Sequence, residues 1–421
     1  MTVAPLDAPG EGAPRVPDQP DPGTRSGVGR RRYGRLLVAL GLVVLLVGCD
    51  AGAPDNPTTT AASNTEQTPA SPSKSDQAAV FPTGAFAEIS EAPVSKKMAV
   101  VFQAALNETA GRGGMTATVM SADGTWSGTA GTADGVRDLR VEDQFNIGSI
   151  SKTLVAAQVM QLVEDSELDL DDPAADHLST DLDFDTNGAT IRQLLNHHSG
   201  IPDYWSPAFE KDLTTDPQRV WTTEELLESI PDARGPVDAF EYSSTNYVLL
   251  GLVIEHVRGR PLVEVLRNGV LDVPGTERLI SQPEERPTAP MAMPFGESTA
   301  ALKKGGGYLP STASVTSNGP GAVIASDAPS LAHWWRAFCA GEIVSHDTLN
   351  EMIDPQGEYG LGLYQPYPEA VGHTGQDIGY VAWAGCLPND GTVIVLLSNQ
   401  IVDDIGAMAG PLVLAANADA P

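Results

Sequence analysis

Apolar positions outline a folded region that begins near Ala92. The spacing in KKMAVVFQAALNETAG predicts an amphipathic helix that ends at Gly111. The segment MTATVMSADGTWSGTAG predicts a β-hairpin that turns at Asp123-Gly124. The stretch TLVAAQVMQLV after Lys152 is apolar at nearly every position, and a helix that is apolar on all sides is normally buried, so a buried helix is predicted from about Ser149 to Asp165. The first part of the folded region therefore predicts helix, hairpin and buried helix.

Helices fill the middle of the chain, and strands return near its C-terminal end. TTEELLESI carries Thr222 and Glu225 at capping-box spacing, and NYVLLGLVIEHV predicts a second buried helix. IGYVAWAGCL and TVIVLLSN predict two strands joined by a turn at 388–391, and a last apolar helix is expected near Asp403. The expected fold class is α/β (α+β), with an antiparallel sheet formed from both chain ends and flanked by helices. A mainly helical domain, roughly residues 175–300, is expected as an insertion.

The N-terminal segment has the pattern of an export signal. The basic stretch RRRYGR precedes an apolar run over residues 36–47, which ends in LVGC at Cys49. A run of this length is too short to span a bilayer and is typical of a signal peptide. A small residue followed by cysteine resembles the lipobox of bacterial lipoproteins. This resemblance implies a signal peptide over residues 1–48 and a lipid on Cys49 that anchors the protein outside the cytoplasmic membrane.

Composition limits the remaining possibilities. Residues 49–84 are rich in Ser, Thr and Pro and predict a flexible tether, which leaves 85–421 as the folded domain. The formal net charge of −30 argues against nucleic acid as a partner. Cys339 and Cys386 are open to two interpretations, a disulfide in an exported protein or two buried thiols. Metal-ligand spacing and nucleotide-binding motifs are absent from the sequence, so neither a metal nor a cofactor is predicted.

Ser149 and Lys152 open the predicted buried helix in an S-x-x-K pattern, which places both residues on one face. A helix N-terminus supplies backbone N–H groups and a positive field. A serine beside a desolvated amine at such a place is an activated nucleophile. The structural alternative is a serine N-cap with a lysine whose ammonium reaches solvent. A second match, from Ser71 to Lys74, falls in the predicted tether and carries no catalytic meaning.

Two further segments carry candidate chemistry. Tyr242, in EYSSTNYVLLGLVIE, precedes the second buried helix, and a tyrosinate paired with a cationic lysine acts as a general base. Taken alone, such a tyrosine is more often a packing residue with a satisfied hydroxyl. In VGHTGQDIGYVAW, His373-Thr374-Gly375 opens a strand, where glycine often marks the close approach of a ligand. Without the other segments, this stretch reads as a turn before an edge strand.

The three segments, in this order, resemble the serine β-lactamase-like family, which contains class C β-lactamases and DD-peptidases. FNIGSISKTLVAAQVMQLVEDSELDLDDP is similar to the nucleophile helix of that family. ATIRQLLNHHSGIPDY contains the hallmark L-L-x-H-x-S-G at residues 194–200, and YSSTNYVLLGLVIE and GHTGQDIGYVAW match the second and third motifs. The likeness covers about residues 95–400.

The resemblance implies roles for individual residues. Ser149 is the implied nucleophile, Lys152 its proton acceptor and electrostatic partner, and Tyr242 the general base. The backbone N–H groups of Ser149 and Gln376 are implied to form the oxyanion hole. Substrate is implied to lie against four further residues: Ser244, His373, Thr374 and Gly375.

Two departures from the family pattern affect the expected substrate. The usual Tyr-x-Asn is Tyr242-Ser243-Ser244 here, so a hydroxyl stands where the family has an amide. The Lys-Thr-Gly of class C β-lactamases is His-Thr-Gly here, as in some DD-peptidases of the family. The chain has no Lys or Arg after Arg336. A terminal carboxylate would therefore depend on Thr374, a protonated His373 or distant bases at positions 303 and 304.

The expected function is an exported serine hydrolase that works through an acyl-enzyme. A D-alanyl-D-alanine carboxypeptidase-type reaction on peptidoglycan peptides is the first expectation, and β-lactamase or esterase activity stays open. From a different class, a non-catalytic lipoprotein that binds cell-wall fragments or penicillin also stays open. The expected partners are a peptidoglycan peptide or another small acyl substrate, and the membrane through the lipid on Cys49.

Overall fold

The computed structural model describes residues 81–295, 311–321, 323–354, 358–368, 370–402 and 404–418. The chain divides into two units, Met1–Ser73 and Lys74–Pro421, and every described residue belongs to the second. The predicted signal peptide, Cys49 and the tether up to residue 80 lie outside the described residues, as do positions 303 and 304. None of the helices in the described ranges has the length and apolar content of a membrane span.

Eight strands form two antiparallel sheets in the described residues. The main sheet has five strands in the order β2-β1-β8-β7-β6, and a small sheet has the order β3-β5-β4. In chain order the strands are β1 Gly114–Ser121, β2 Gly124–Gly131, β3 Phe145–Asn146, β4 Ile280–Gln282, β5 Val323–Ser326, β6 Val371–Asp377, β7 Tyr380–Leu387 and β8 Thr392–Ser398.

Twelve α-helices lie among the described residues. Several begin after a Ser, Thr or Asp whose side chain accepts a hydrogen bond from the first turn. Thr222 and Glu225 form the predicted capping box. In chain order they are α1 Gly84–Ala87, α2 Lys96–Thr109, α3 Ile150–Glu164, α4 Ile191–Leu195, α5 Pro207–Thr215, α6 Thr223–Glu228, α7 Thr245–Arg258, α8 Leu262–Asn268, α9 Thr312–Thr316, α10 Ala328–Cys339, α11 His346–Met352 and α12 Gly410–Asn417.

The main sheet is buried on both faces because helices cover it from two sides. Helices α2 and α12 pack on one face, and α10 packs on the other across β1, β7 and β8. Residues on β7 and β8 are buried throughout, which explains why these strands are apolar at nearly every position. The sheet joins β1 and β2 from early in the chain to β6, β7 and β8 from its end. This confirms the predicted fold class.

Helix α3 lies at the centre of the molecule. It contacts α7 and α8 on one side and β6 and β7 on the other, and twelve of its fifteen residues are buried. The apolar character around its whole circumference follows from this position between the sheet and the helices of the middle segment. The residue before α3 and its first turn therefore meet the edge strand β6, where the candidate site lies.

Three features differ from the sequence expectations. Phe81 is buried and α1 begins at Gly84, so the folded region starts before Ala92 and includes the last residues assigned to the tether. The small sheet was not predicted, because β3 has only two residues and β4 only three, too few for a periodic pattern. The last helix was expected near Asp403, and that prediction is wrong by about two turns. Asp404 Oδ1 accepts a hydrogen bond from the Ala407 N–H in a preceding 3₁₀ turn, and α12 then begins at Gly410 with proline in its first turn.

A disulfide joins Cys339, at the end of α10, to Cys386 in β7. Both cysteines are fully buried, and their Cα atoms are 6.7 Å apart. Of the two interpretations that the sequence left open, the structure has the disulfide. It fastens α10 to the sheet face that the helix covers.

Candidate active site

Ser149 and Lys152 form a hydrogen-bonded pair at the start of α3. Lys152 Nζ donates to Ser149 Oγ at 3.0 Å. Lys152 is 7% exposed, so its ammonium does not reach bulk solvent, and Ser149 makes no side-chain capping bond to the helix. The two side chains are thus directed at each other, and not arranged as an N-cap with a solvent-seeking lysine. This is the geometry of a serine with an adjacent amine base.

The turn that presents Ser149 is held on both sides. Gly148 has φ +53°, a left-handed value that glycine adopts without strain. The Ile147 N–H donates to the Ile324 carbonyl in β5 at 3.0 Å. Asn146 Nδ2 donates to Asp377 Oδ2 at the end of β6 at 2.7 Å. Both sheets therefore fix the position of the candidate nucleophile.

Tyr242 lies over the lysine. Lys152 Nζ is 5.1 Å from the centroid of the Tyr242 ring and 5.7 Å from that of Tyr247 on α7. Tyr242 is 36% exposed and lines the same cleft as Ser149. A phenol that is open to the cleft and borders a cation can exchange protons with a bound substrate. The structure therefore brings together Ser149, Lys152 and Tyr242, which come from two distant segments of the chain.

Strand β6 directs two of its N–H groups away from the sheet, toward the start of α3. Gly372 exchanges backbone hydrogen bonds with Tyr364 at 2.9 and 3.0 Å, on the side away from β7. Because backbone groups alternate in direction along a strand, the N–H groups of Thr374 and Gln376 also point away from β7. A Cβ on Gly375 would lie 1.9 Å from Ile147 O and 3.2 Å from Ser149 N. Only glycine permits this approach.

The same close approach places the two implied oxyanion donors together. A Cβ on Gly148 would lie 2.6 Å from Gln376 N, so this nitrogen borders the turn that carries Ser149. Two backbone N–H groups beside a serine hydroxyl can stabilise the negative oxygen of a tetrahedral intermediate. The arrangement fits the oxyanion hole predicted for Ser149 and Gln376.

Two recesses open on Ser149 and Tyr242. The first has a volume of about 490 Å³ and is bordered by polar and acidic groups together with Lys152. Its lining includes Asp203, Trp205, Glu210, Ser244, Asn318 and Gln376. The second has a volume of about 710 Å³ and is lined mainly by rings. Its lining includes Phe240, Glu358, Tyr359, Tyr364, His373, Thr374 and Ile405.

Comparison with known proteins shows the family to which the chain belongs. The family model described as Beta-lactamase matches residues 102–418, which is well over half of the chain. The chain belongs to the beta-lactamase family. The family and its relatives support a serine hydrolase.

Individual relatives agree with this family. The putative penicillin-binding protein PbpX of Bacillus subtilis is 24% identical over 61% of this chain and 62% of its own length. The structure of a D-stereospecific amidohydrolase from Streptomyces sp. is 26% identical, with a TM-score of 0.58, and covers 77% of this chain and 99% of its own. D-amino acid amidase from Ochrobactrum anthropi SV3 has the same fold, with a TM-score of 0.64, 23% identity and coverage of 76% and 98%. The matches span less than two thirds of the first curated relatives' own length.

Ser244 occupies the place of the asparagine that beta-lactamase family members usually carry, and a carboxylate lies behind it. Ser244 Oγ donates to Asp203 Oδ2 at 3.3 Å, and Asp203 Oδ1 accepts from the Trp205 N–H at 2.9 Å. Burial raises the pKa of Asp203, while the Trp205 N–H and the Lys152 ammonium oppose the increase. The change from asparagine to Ser244 therefore does more than remove an amide, because the carboxylate of Asp203 adds a hydrogen-bond acceptor behind the serine hydroxyl.

His373, in place of the lysine of the third motif, is buried and neutral. Burial lowers its pKa to about 3, a bond to the Thr374 carbonyl opposes this effect, and the Lys152 ammonium reinforces it. Since a carbonyl only accepts, His373 Nδ1 carries the hydrogen, and Nε2 accepts from the Tyr359 hydroxyl at 2.9 Å. A protonated His373, one of the three possibilities named for contact with a terminal carboxylate, is therefore contradicted. The cause of the low pKa is the loss of solvent around the ring.

Four residues of the site were missed at the level of sequence. His197 is the histidine of the L-L-x-H-x-S-G hallmark, and Asp203 follows three residues after its end. The hallmark itself was therefore a signal that residues of this segment contribute to the site. Tyr359 and Tyr364 precede β6 and carried no recognisable pattern, although Tyr364 and Thr374 share a hydroxyl hydrogen bond of 2.6 Å. Among the residues that the structure describes, no group of three or more acidic, His or Cys side chains is placed to hold a metal ion.

Proposed function

We propose that the chain is an exported serine hydrolase that acts through an acyl-enzyme on D-alanyl peptides of peptidoglycan. The observation that carries this proposal is the bond of 3.0 Å from the buried Lys152 Nζ to Ser149 Oγ, made beneath the Tyr242 ring. A desolvated amine in contact with a serine hydroxyl has no structural purpose that a neutral residue could not serve better. Nucleophile activation accounts for it.

The proposed reaction has two steps. Ser149 Oγ attacks the substrate carbonyl carbon while its proton passes to the Lys152–Tyr242 pair, and the N–H groups of Ser149 and Gln376 stabilise the oxyanion. As the carbon–nitrogen bond breaks, Tyr242 returns the proton to the leaving amine. A water molecule, deprotonated by the same pair, then attacks the acyl carbon. The bond to Ser149 Oγ breaks, and the pair returns that proton to the serine. Atoms and protons balance over the cycle, and no cofactor is needed.

The first-choice substrate rests on likeness and on the third motif. Penicillin-binding proteins are among the curated relatives, and His-Thr-Gly is the form of the motif found in some DD-peptidases. Such peptides end in a carboxylate. In the described residues that line the two recesses, Lys152 is the sole Lys or Arg, and it is engaged with Ser149. Thr374 is the remaining polar group of the motif that could contact a terminal carboxylate.

A second candidate substrate is an amide or ester of a D-amino acid without a terminal carboxylate. The observation that favours it is the neutral His373 beside a recess lined by Phe240, Tyr359 and Tyr364, which suits an uncharged leaving group. The D-stereospecific amidohydrolase structure, at 26% identity, supports the same class. Simple esters also lack a carboxylate beside the scissile bond and stay within this candidate. β-Lactams such as benzylpenicillin carry a carboxylate there and have the same requirement as the first candidate.

The location of the protein is part of the proposal. The apolar run before Cys49 and the lipobox-like LVGC support export and lipid attachment at Cys49. A tether that ends before Phe81 would then hold the catalytic domain near the outer face of the cytoplasmic membrane, where peptidoglycan peptides are found.

Intact-mass measurement of the purified domain, residues 81–421, tests the proposal. With benzylpenicillin, wild type is expected to gain one covalent adduct, and Ser149→Ala none. Ser121→Ala, a change in β1 away from the cleft, should keep the adduct. Consumption of penicillin without an adduct would instead indicate a β-lactamase. If penicillin stays intact and unbound, release of D-alanine from a diacetyl-lysyl-D-alanyl-D-alanine peptide decides between a peptidase and a non-catalytic binder.

A further inference from the structure

His197 occupies an unusual position beneath the candidate general base. It follows α4 with φ +61°, in the left-handed region that residues with a Cβ rarely adopt. Its side chain is fully buried, and Nε2 has no hydrogen-bond partner among the described residues. A strained backbone and an unpaired buried nitrogen both cost free energy, and such features cluster at functional sites.

The backbone and the ring of His197 hold the chain on either side of Tyr242. The His197 carbonyl accepts a hydrogen bond from the Glu241 N–H at 2.9 Å. His197 Nδ1 accepts a second one from the Ser243 N–H at 3.2 Å. One residue thus fixes both neighbours of Tyr242, and the left-handed backbone of His197 allows its carbonyl and its ring to face the same segment.

The ring of His197 also supports the ring of Tyr242. Their centroids are 4.2 Å apart with an angle of 36° between the planes. Tyr247 and Tyr359 pack on the same imidazole, at 5.4 and 4.6 Å. Burial, followed by the Lys152 ammonium, lowers the pKa of His197 well below its usual value. The ring is therefore neutral and adds no second cation beside Lys152.

We infer that His197 is the positioning residue of Tyr242: it holds the phenol over Lys152 and Ser149 through the Ser243 hydrogen bond and the ring contact. This inference rests on the proposed function, because it gives Tyr242 the role of proton donor to the leaving group. His197 itself touches no reacting atom. Loss of its side chain should therefore affect the steps in which Tyr242 moves a proton, and should leave the nucleophile pair in place.

Three variants separate the contributions of the side chain. His197→Phe keeps a ring against Tyr242 and removes the acceptor for the Ser243 N–H. His197→Asn keeps an acceptor, tolerates the left-handed backbone and removes the ring. Thr245→Val is the matched control: it removes a buried hydroxyl at the start of the same helix, where Thr245 Oγ1 donates to the Pro202 carbonyl at 2.8 Å.

The readout is the dependence of the rate on the leaving group. Kcat/KM is measured for N-acetyl-D-alanine methyl ester, whose alkoxide must be protonated, and for the p-nitrophenyl ester, whose phenolate leaves unassisted. Tyr242→Phe should lower the rate for the methyl ester about 100-fold or more, the usual scale of general acid–base catalysis. The rate for the p-nitrophenyl ester should fall less, because only removal of the Ser149 proton is affected and its phenolate needs no proton to leave. His197→Phe should show the same pattern at roughly 10- to 100-fold, because a misplaced phenol retains part of its effect. His197→Asn should recover part of the lost rate.

The outcomes distinguish this inference from the proposed function. Equal losses on both esters for His197→Phe, as expected for Thr245→Val, would mean a structural role only and would overturn the inference while the hydrolase proposal stands. If Tyr242→Phe also slows both esters equally, Tyr242 does not protonate the leaving group, and the inference is wrong. If Ser149→Ala hydrolyses both esters at the wild-type rate, the proposed function itself fails.

Discussion

Burial of the imidazole of His373 links the stability of the protein to pH. The pKa falls from 6.5 to about 3 on folding, chiefly because the ring loses its contact with water. Between these values the unfolded chain binds a proton at this side chain and the folded protein does not. The free energy of unfolding therefore falls as pH decreases from about 6.5 toward 3. Above about 6.5 the imidazole is neutral in both states, and the full stability of the folded protein is kept.

Removal of this imidazole should reduce the acid sensitivity. In His373→Gln the free energy of unfolding should fall less steeply with decreasing pH than in wild type, by up to about 1.4 kcal/mol per pH unit. Urea unfolding at pH 7, 6, 5 and 4 measures the two slopes. His256→Gln, at an exposed position of α7, is the control and should keep the wild-type slope. Identical slopes for all three proteins would show that burial of His373 has no such effect.

Single residues were predictable where one local pattern carried the chemistry. Ser149 and Lys152 follow from a motif four residues long on an apolar helix, and the structure places Lys152 Nζ 3.0 Å from Ser149 Oγ. No role was predicted for His197, the histidine of the L-L-x-H-x-S-G hallmark, because its bond to the Ser243 N–H joins positions 46 residues apart. Periodicity along the chain contains no information on such a contact, and the neutral state of His373 likewise depends on residues that surround it only after folding.

The contact between strand β6 and the turn before α3 depends on the absence of a side chain at one position. With the Ile147 carbonyl where it is, a Cβ at Gly375 would overlap it at 1.9 Å, so strand and turn would have to separate. The N–H groups of Ser149 and Gln376 would then no longer converge. The glycine of the third motif is thus needed for backbone geometry and not for flexibility.

Substitution of this glycine should reduce the rate of acylation. Gly375→Ala is expected to slow adduct formation at Ser149 by roughly 10²–10³, the typical cost of one lost oxyanion donor. Intact-mass measurements on samples quenched at successive times after addition of benzylpenicillin give the rate constant of adduct formation. Gly84→Ala, where an added Cβ meets nothing within 4 Å, should acylate at the wild-type rate. A Gly375→Ala protein that acylates normally would show that the close approach is not required.

Helices and strands with a clear pattern of apolar positions were predicted well, and elements too short to show such a pattern were not. The hairpin of β1 and β2 and the strands β7 and β8 have alternating or continuous apolar patterns, and all four form as expected. Strand β3 is two residues long and exists through its pairing with β5, which lies far away in sequence. Its formation is decided by tertiary contacts, so the turn that supports Ser149 could not be derived from local sequence.

A disulfide cross-links helix α10 to strand β7 of the main sheet. The bond between Cys339 and Cys386 closes a loop of 47 residues and ties α10 to the sheet. A cross-link of this kind stabilises a protein mainly because it limits the conformations of the unfolded chain. The sequence could not decide whether the two cysteines meet, since their distance depends on how a helix packs on a sheet.

Loss of this cross-link should lower global stability without a change at the site. The double variant Cys339→Ala, Cys386→Ala is expected to unfold with a free energy lower by about 4 kcal/mol, the loop-entropy value for this loop length. Chemical unfolding with and without a reductant measures it. The reductant should destabilise wild type and leave the double variant unchanged. Equal stability of oxidised and reduced wild type would contradict the prediction.

Formation of the main sheet from both ends of the chain also constrains the order of events during synthesis. Strand β1 ends at Ser121, whereas its partner β8 begins only at Thr392. As the chain leaves the ribosome, the hairpin of β1 and β2 therefore waits with one edge unpaired until nearly all other elements have been made. An unpaired edge promotes pairing with other chains, and distant contacts slow folding. The proposed oxyanion hole, which needs Gln376 on β6, would consequently form only near the end of synthesis, and chains truncated before β6 would lack it.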